Sequence, residues 1–181
     1  MSKQIYRIES YTFSTTDALL FDANVWLYIY GRQGELSPQI KNKYLLALRR
    51  IRSAKIPIFI DVLVLSEFIN ASARFFYNRL PAPTKSAEFK AFRNSADFKP
   101  IAERIAKLSR RILEKSQRIE SNFESVDLVT ILRDYQAGEV DFNDRILAEM
   151  CRARNLKLVT HDADFQEENV AILTANPKLL S

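Results

Sequence analysis

Short apolar runs separated by longer stretches of helical periodicity organise this chain. Ala18-Leu19-Leu20-Phe21 is wholly apolar, the pattern of a strand covered on both faces of a parallel sheet. Ile56-Pro57-Ile58-Phe59-Ile60 predicts a second strand, its proline near the start, where a missing donor is tolerated. Leu156–Thr160 and Val170–Leu173 predict two more. Between them, Ser37-Pro38 offers an N-cap and a first-turn proline to a helix reaching about Ser53, with Ile40, Tyr44, Leu45, Leu48 and Ile51 on its apolar face. Asp61 is placed to cap a helix from Val62 to about Asn78. After the proline cluster Leu80-Pro81-Ala82-Pro83-Thr84, residues 86–94 and 97–118 read as helices; Phe98, Ile101, Ile105, Leu108, Ile112 and Leu113 form a stripe along the second. Ser125 is placed to cap Val126 to Gln136, and Asp141 to cap a helix to Arg154 with Asp144 at its third position. Residues 1–17 read as an extended lead-in. Strands alternating with helices predict an α/β fold: a mostly parallel central sheet flanked by helices, with a helical insertion.

Length and composition narrow this further. The 181 residues suit one domain, within which residues 79–118 form a basic helical insertion. Only 3 glycines argue against a glycine-rich phosphate cradle. The single cysteine, Cys151, excludes an intrachain disulfide and a thiolate cluster, and its apolar helical setting predicts a buried thiol. With no apolar run long enough for a bilayer and no secretory signal at Met1–Arg7, a cytoplasmic protein without a membrane partner is expected. The net charge of +5 is uneven. From Thr84 to Arg118, ten lysines and arginines face four acids, so the rest of the chain is close to neutral. Such a segment is either a solvated helix face or the grip on a polyanionic substrate.

Four acids sit at the ends of these elements: Asp22 and Asp162 just after strands, Asp144 in the first turn of a helix, and Glu67 within the helix that follows the second strand. Ligands of open parallel sheets lie beyond the carboxyl ends of the strands, so all four can reach one crevice. Carboxylates crowded there repel and take up protons unless a cation neutralises them. An all-oxygen set without His or Cys selects Mg²⁺ or Mn²⁺. Each acid also has a plainer role open to it: Asp22 in a turn, Glu67 paired with Arg74, Asp144 and Asp141 favoured by the helix dipole, Asp162 or Asp164 as loop polar residues. His161, the only histidine, has no partner for acid–base ribonuclease chemistry and reads as an exposed neighbour of Asp162.

Phe21-Asp22-Ala23-Asn24-Val25-Trp26-Leu27, Val64-Leu65-Ser66-Glu67-Phe68, Phe142-Asn143-Asp144-Arg145-Ile146-Leu147-Ala148 and Leu158-Val159-Thr160-His161-Asp162-Ala163-Asp164-Phe165 resemble, in order, the four acidic motifs of PIN-domain nucleases, and the length is similar to VapC-type toxin ribonucleases enlarged by an insertion. The resemblance implies that Asp22, Glu67, Asp144 and Asp162 are catalytic, metal-binding acids, supported by Asn24, Thr160, Asp164 and Asp141. It implies Mg²⁺- or Mn²⁺-dependent hydrolysis of single-stranded RNA, a homodimer, and for toxin members a small antitoxin protein. Arg74, Arg104, Lys107 and Arg111 are the candidates for gripping the RNA backbone, and Phe75, Phe76 or Tyr77 for stacking on bases or for packing in the core. A catalytically silent PIN-like module that binds RNA or protein is the alternative.

Overall fold

The computed structural model describes residues 4–81, 88–121 and 123–180. Residues Ala82–Thr84 of the proline cluster, and the start of the helix expected at 86–94, lie outside them. Six strands form one sheet: β1 (Gln4–Arg7), β2 (Leu19–Phe21), β3 (Ile58–Ile60), β4 (Gln117–Arg118), β5 (Lys157–Val159) and β6 (Ala171–Thr174). Their order is β1-β6-β5-β2-β3-β4 and every pairing is parallel. The central strands are those the apolar runs predict, and β2 and β6 are buried at every position. In the middle of the sheet Leu19 pairs with both Ile58 and Lys157, and the Asp22 N–H donates to Val159 O at 3.0 Å. That bond carries the β2–β5 pairing up to the acid.

The helices are α1 (Ala23–Tyr30), α2 (Gln33–Leu36), α3 (Pro38–Ser53), α4 (Val62–Tyr77), α5 (Phe89–Arg93), α6 (Lys99–Leu113), α7 (Leu128–Gln136) and α8 (Phe142–Arg154). Helix α1 packs on α3 and α4, and α4 on α6. Trp26, Tyr44, Phe21, Phe68 and Phe165 are the largest fully buried side chains. Cys151 is buried as expected, and burial pushes its thiol pKa up. No helix among the described residues is long and apolar enough to cross a membrane.

Four local expectations need correction. The lead-in is a strand at its start: β1 zips onto β6 from Gln4↔Ala171 to Arg7↔Thr174. Helix α1 fills a stretch where no element was expected; Ala23, Val25, Trp26, Leu27 and Ile29 are all buried, so neighbours cover most of its surface and the usual polar stripe is absent. Helix α6 stops at Leu113 rather than Arg118, and Gln117–Arg118 joins the open edge of β3, where Ile119 N donates to Ile60 O at 3.0 Å. Sheet pairing there outweighs another turn of helix. Asp127, not Ser125, caps α7, because its carboxylate accepts both the Thr130 N–H at 3.1 Å and the Thr130 hydroxyl at 2.8 Å.

Candidate active site

The carboxyl ends of β2 and β5 are sewn together by side chains. Asp22 is buried at 3% exposure and accepts from the Thr160 hydroxyl at 2.7 Å and from Asn24 Nδ2 at 2.5 Å. Asn24 Nδ2 also reaches Thr160 Oγ1 at 3.1 Å, while Asn24 Oδ1 accepts the His161 N–H at 3.0 Å. The Asp162 N–H donates back to Thr160 Oγ1 at 3.0 Å. Thus Asn24 and Thr160 orient Asp22 and fix the loop that carries Asp162. Asp22 stands at the N-cap of α1 but makes no capping bond, so its carboxylate belongs to this network rather than to the helix end.

The acids crowd one another. Burial pushes Asp22 up to about 6, aided by the charge of Asp162 and opposed by the Thr160 hydrogen bond. Half-buried Asp144 is pushed up to about 8 by burial and by Asp22, Asp141, Asp162 and Glu67. Glu67 is pushed up to about 7 by burial and then by Asp22, Asp141 and Asp162; since the residue as a whole is exposed, the neighbouring charges are its firmer cause. The four acids and Asp141 therefore share one electrostatic field. Among the described residues, however, no three acidic, histidine or cysteine side chains stand in ready-made ion-binding geometry.

The supporting acids divide. Asp141 caps α8, accepting from Asn143 N at 2.8 Å and Asp144 N at 3.4 Å. Asp162 caps a 3-10 turn at Ala163–Glu167, accepting from the Asp164 N–H at 3.1 Å. Asp141, Asp144 and Asp164 line one cavity of about 310 Å³ together with Glu139 and Glu167. Glu67 makes no ion pair with Arg74 among the described residues; the Arg74 guanidinium lies 4.8 Å from the centre of the Phe89 ring. Arg74 and Arg104 line a second cavity, and Lys107 and Arg111 are exposed on α6 without lining it. Phe75, Phe76 and Tyr77 are all half-buried, and Tyr77 packs against Phe89 and Phe92.

Three positioning residues escaped sequence reasoning. Tyr44 of α3, read only as core, donates to Thr160 O at 3.0 Å, lies 2.9 Å from His161 Nδ1 and accepts the Ala175 N–H. His161 is accordingly half-buried against Tyr28 and Tyr44, not the exposed neighbour expected. Asn176 Nδ2 holds His161 O at 2.7 Å; an Asn just before Pro177 is a cap signal that could have singled it out. Buried Glu168 clamps Arg145 at 2.9 Å and Arg152 at 3.2 Å, tying α8, with Asp144, to the Asp162 loop. Two arginines seven apart on one helix face were its signal.

A parallel α/β sheet with acids gathered beyond its central strands places them where proteins of this class bind their ligands. The chain matches the PIN domain family over residues 19–169 and belongs to it. Among solved structures, a chain of the crystal structure of VapBC2 from Rickettsia felis bound to a DNA fragment from their promoter shares the fold. It is 15% identical at a TM-score of 0.53, over 87% of this chain and 98% of that one. No curated protein matches.

Proposed function

We propose that this protein is a Mg²⁺- or Mn²⁺-dependent endoribonuclease that hydrolyses phosphodiester bonds in single-stranded RNA. The single observation that carries the reading is the gathering of these acids in one field: Asp22, Glu67 and Asp144 are raised first by burial, the charge of Asp162 raises all three, and that of Asp22 raises both Glu67 and Asp144. Carboxylates gathered in this way leave negative charge uncompensated unless a cation joins them. The four acids offer carboxylate oxygens, so the residues fit a hard ion. Asp22, Glu67, Asp144 and Asp162 would hold it. Once bound, it would supply Lewis acidity and lower the pKa of water. The chain's own contribution is orientation: Asn24 and Thr160 fix Asp22, while the Glu168 clamp fixes α8 against the Asp162 loop.

In this reading the chain is one unit in which residues 79–118 are an insertion, and exposed Arg74, Arg104, Lys107 and Arg111 meet the RNA backbone. Membership of the PIN family and the fold shared with VapBC2 support a further proposal: the protein is the toxin of a toxin–antitoxin pair, cytoplasmic, homodimeric and restrained by a small antitoxin protein. The basic residues of α6 favour a second reading, a catalytically silent module that binds RNA or protein.

One assay separates the two. Purified protein and Asp22→Asn are incubated with single-stranded RNA, with Mn²⁺ or Mg²⁺ and with a chelator. Cation-dependent cleavage by the wild type alone is the expected result. Equal cleavage by both proteins, or cleavage that survives the chelator, overturns the nuclease proposal; salt-sensitive binding without turnover favours the silent module.

A further inference from the structure

Between the C-terminal end of α1, the second half of α4 and the middle of α6 lies a cavity of about 200 Å³. It is separate from the crevice of the acids: none of Asp22, Glu67, Asp144 and Asp162 lines it. Leu27, Ala71, Ile105 and Leu108 give it an aliphatic wall, beside Phe75 and Phe76. It is smaller than the roughly 300 Å³ at which most small-molecule sites begin, and suits one apolar side chain. A single bulky side chain in a desolvated pocket is how protein partners anchor themselves. RNA has no aliphatic side chain to offer.

The charge around the cavity has one sign. Arg32, Arg74 and Arg104 line it, all three exposed, and no acid does so among the described residues. Each guanidinium lies against a ring: Arg32 and Arg104 are 5.8 and 5.6 Å from the centre of Phe76, and Arg74 is 4.8 Å from that of Phe89. Arg79 stands 3.9 Å from the centre of Phe75. A base seeking a ring to stack on therefore finds guanidiniums already there. A guanidinium held against a ring keeps its N–H edge free in a fixed orientation, ready to take a carboxylate through two parallel hydrogen bonds. Glu35 shows the fit, since its one carboxylate lies 2.6 Å from Arg32 and 3.6 Å from Arg104. These pairs are exposed and so contribute little, and a partner's carboxylate can replace them.

We infer that this cleft docks a protein partner: an acidic amphipathic segment that inserts one bulky apolar side chain between α1, α4 and α6 and lays its flanking carboxylates on Arg32, Arg74 and Arg104. The inference gives the small protein of the proposed function a surface and a chemistry, and rests on that reading for the consequence of docking. A segment held here covers the Arg74 and Arg104 that would grip RNA, and restrains the nuclease from outside the crevice of the acids.

Binding is measured apart from cleavage, with the full chain in a chelator. The probes are a fluorescein-labelled peptide of glutamates and leucines with the leucines at helical spacing, its counterpart with alanine for leucine, its counterpart with lysine for glutamate, and a labelled single-stranded RNA. The glutamate–leucine peptide is expected to bind. Alanine for leucine should weaken it about tenfold or more, the effect of one lost buried side chain, and lysine for glutamate should abolish binding. Arg104→Gln should weaken the peptide roughly tenfold. Ala71→Phe, which fills the cavity, should abolish peptide binding and leave RNA binding in place. Arg104→Gln is an exposed change on a helix surface, so it stays informative if Ala71→Phe fails to fold. No binding of the glutamate–leucine peptide by the wild type, or binding indifferent to leucine and to Arg104, would overturn the docking site. An Ala71→Phe variant that weakens RNA as much as the peptide would overturn it too, by giving the cavity to nucleic acid. Absent Mn²⁺-dependent cleavage, read in the separate assay, would instead overturn the nuclease reading.

Discussion

The two ends of the β2–β5 pair are built on opposite principles. At the amino end, buried Asp17 receives Lys157 Nζ at 2.6 Å, the Ser14 N–H at 2.9 Å and the Tyr11 hydroxyl at 3.2 Å. Burial alone would raise its pKa, but the bonds from Lys157 and Ser14 and the lysine's charge outweigh it and hold the carboxyl below its usual value. At the carboxyl end, Asp22 meets Asn24 and Thr160 and no basic side chain among the described residues, and burial, aided by the charge of Asp162, pushes it up. The same strands thus carry one satisfied carboxylate and one frustrated carboxylate. The first stabilises the sheet; the second stores electrostatic strain of the kind a functional site requires.

Asp22→Asn breaks the comparison most sharply. Losing an outer partner of a metal ligand already costs about 10–100-fold, so replacing the acid itself should take RNA cleavage more than about a hundredfold down. The fold should not suffer: in a chelator at pH 8 the variant is expected to melt at or above the wild-type temperature, because one repelling charge is gone. A marked fall in Tm would mean that Asp22 is structural after all. Asn24→Ala should follow with a loss of roughly 10–100-fold, as Asp22 keeps its charge and loses an orienting donor. Unchanged initial rates for Asn24→Ala would show that Thr160 alone suffices to orient the acid.

Asp17→Ala tests the other end. Removing one partner of a buried pair costs about 3–5 kcal/mol, which falls to about 1–3 kcal/mol here because Lys157 keeps access to water. Tm should drop by several degrees while the cleavage rate per folded molecule stays at the wild-type level. Equal damage to activity would join the two ends into one site.

The contrast also explains what the sequence disclosed. Asp22 was legible because a short, fully apolar strand fixes the residue after it, and Asp162 because it closely follows a second strand that the parallel sheet aims the same way. Asp17 was not: it lies at the end of the stretch read as an extended lead-in, and its lysine is 140 residues away. Helix α1 was hidden because neighbours cover most of its surface, and Tyr44 because an apolar stripe hides what a phenol at its edge can bond. Strand β4 is two residues long and takes its identity from the β3 edge rather than from its own pattern. Local pattern located the strands and the acids; the residues that aim those acids come from pairings across long separations.

The smallest expected effect separates the two ends by pH. For Asp17 the folded pKa lies below the unfolded one, so its contribution is in place above about pH 4 and is lost only as the pH falls through the folded value. For Asp22, Glu67 and Asp144 the folded values, about 6, 7 and 8, lie above the unfolded ones. Their contribution is therefore complete below about pH 4 and is lost as the pH climbs through 6 to 8. In a chelator, Tm should consequently decline between pH 5.5 and 8. Saturating Mn²⁺ binds the ionised acids and should reverse that decline, since a ligand at a hundred times its Kd stabilises by about 2.7 kcal/mol. The increase in Tm should be larger at pH 8 than at pH 5.5, persist in Asp17→Ala and shrink in Asp22→Asn. An increase of equal size at both pH values, or one indifferent to Asp22, would place the cation somewhere other than the frustrated end.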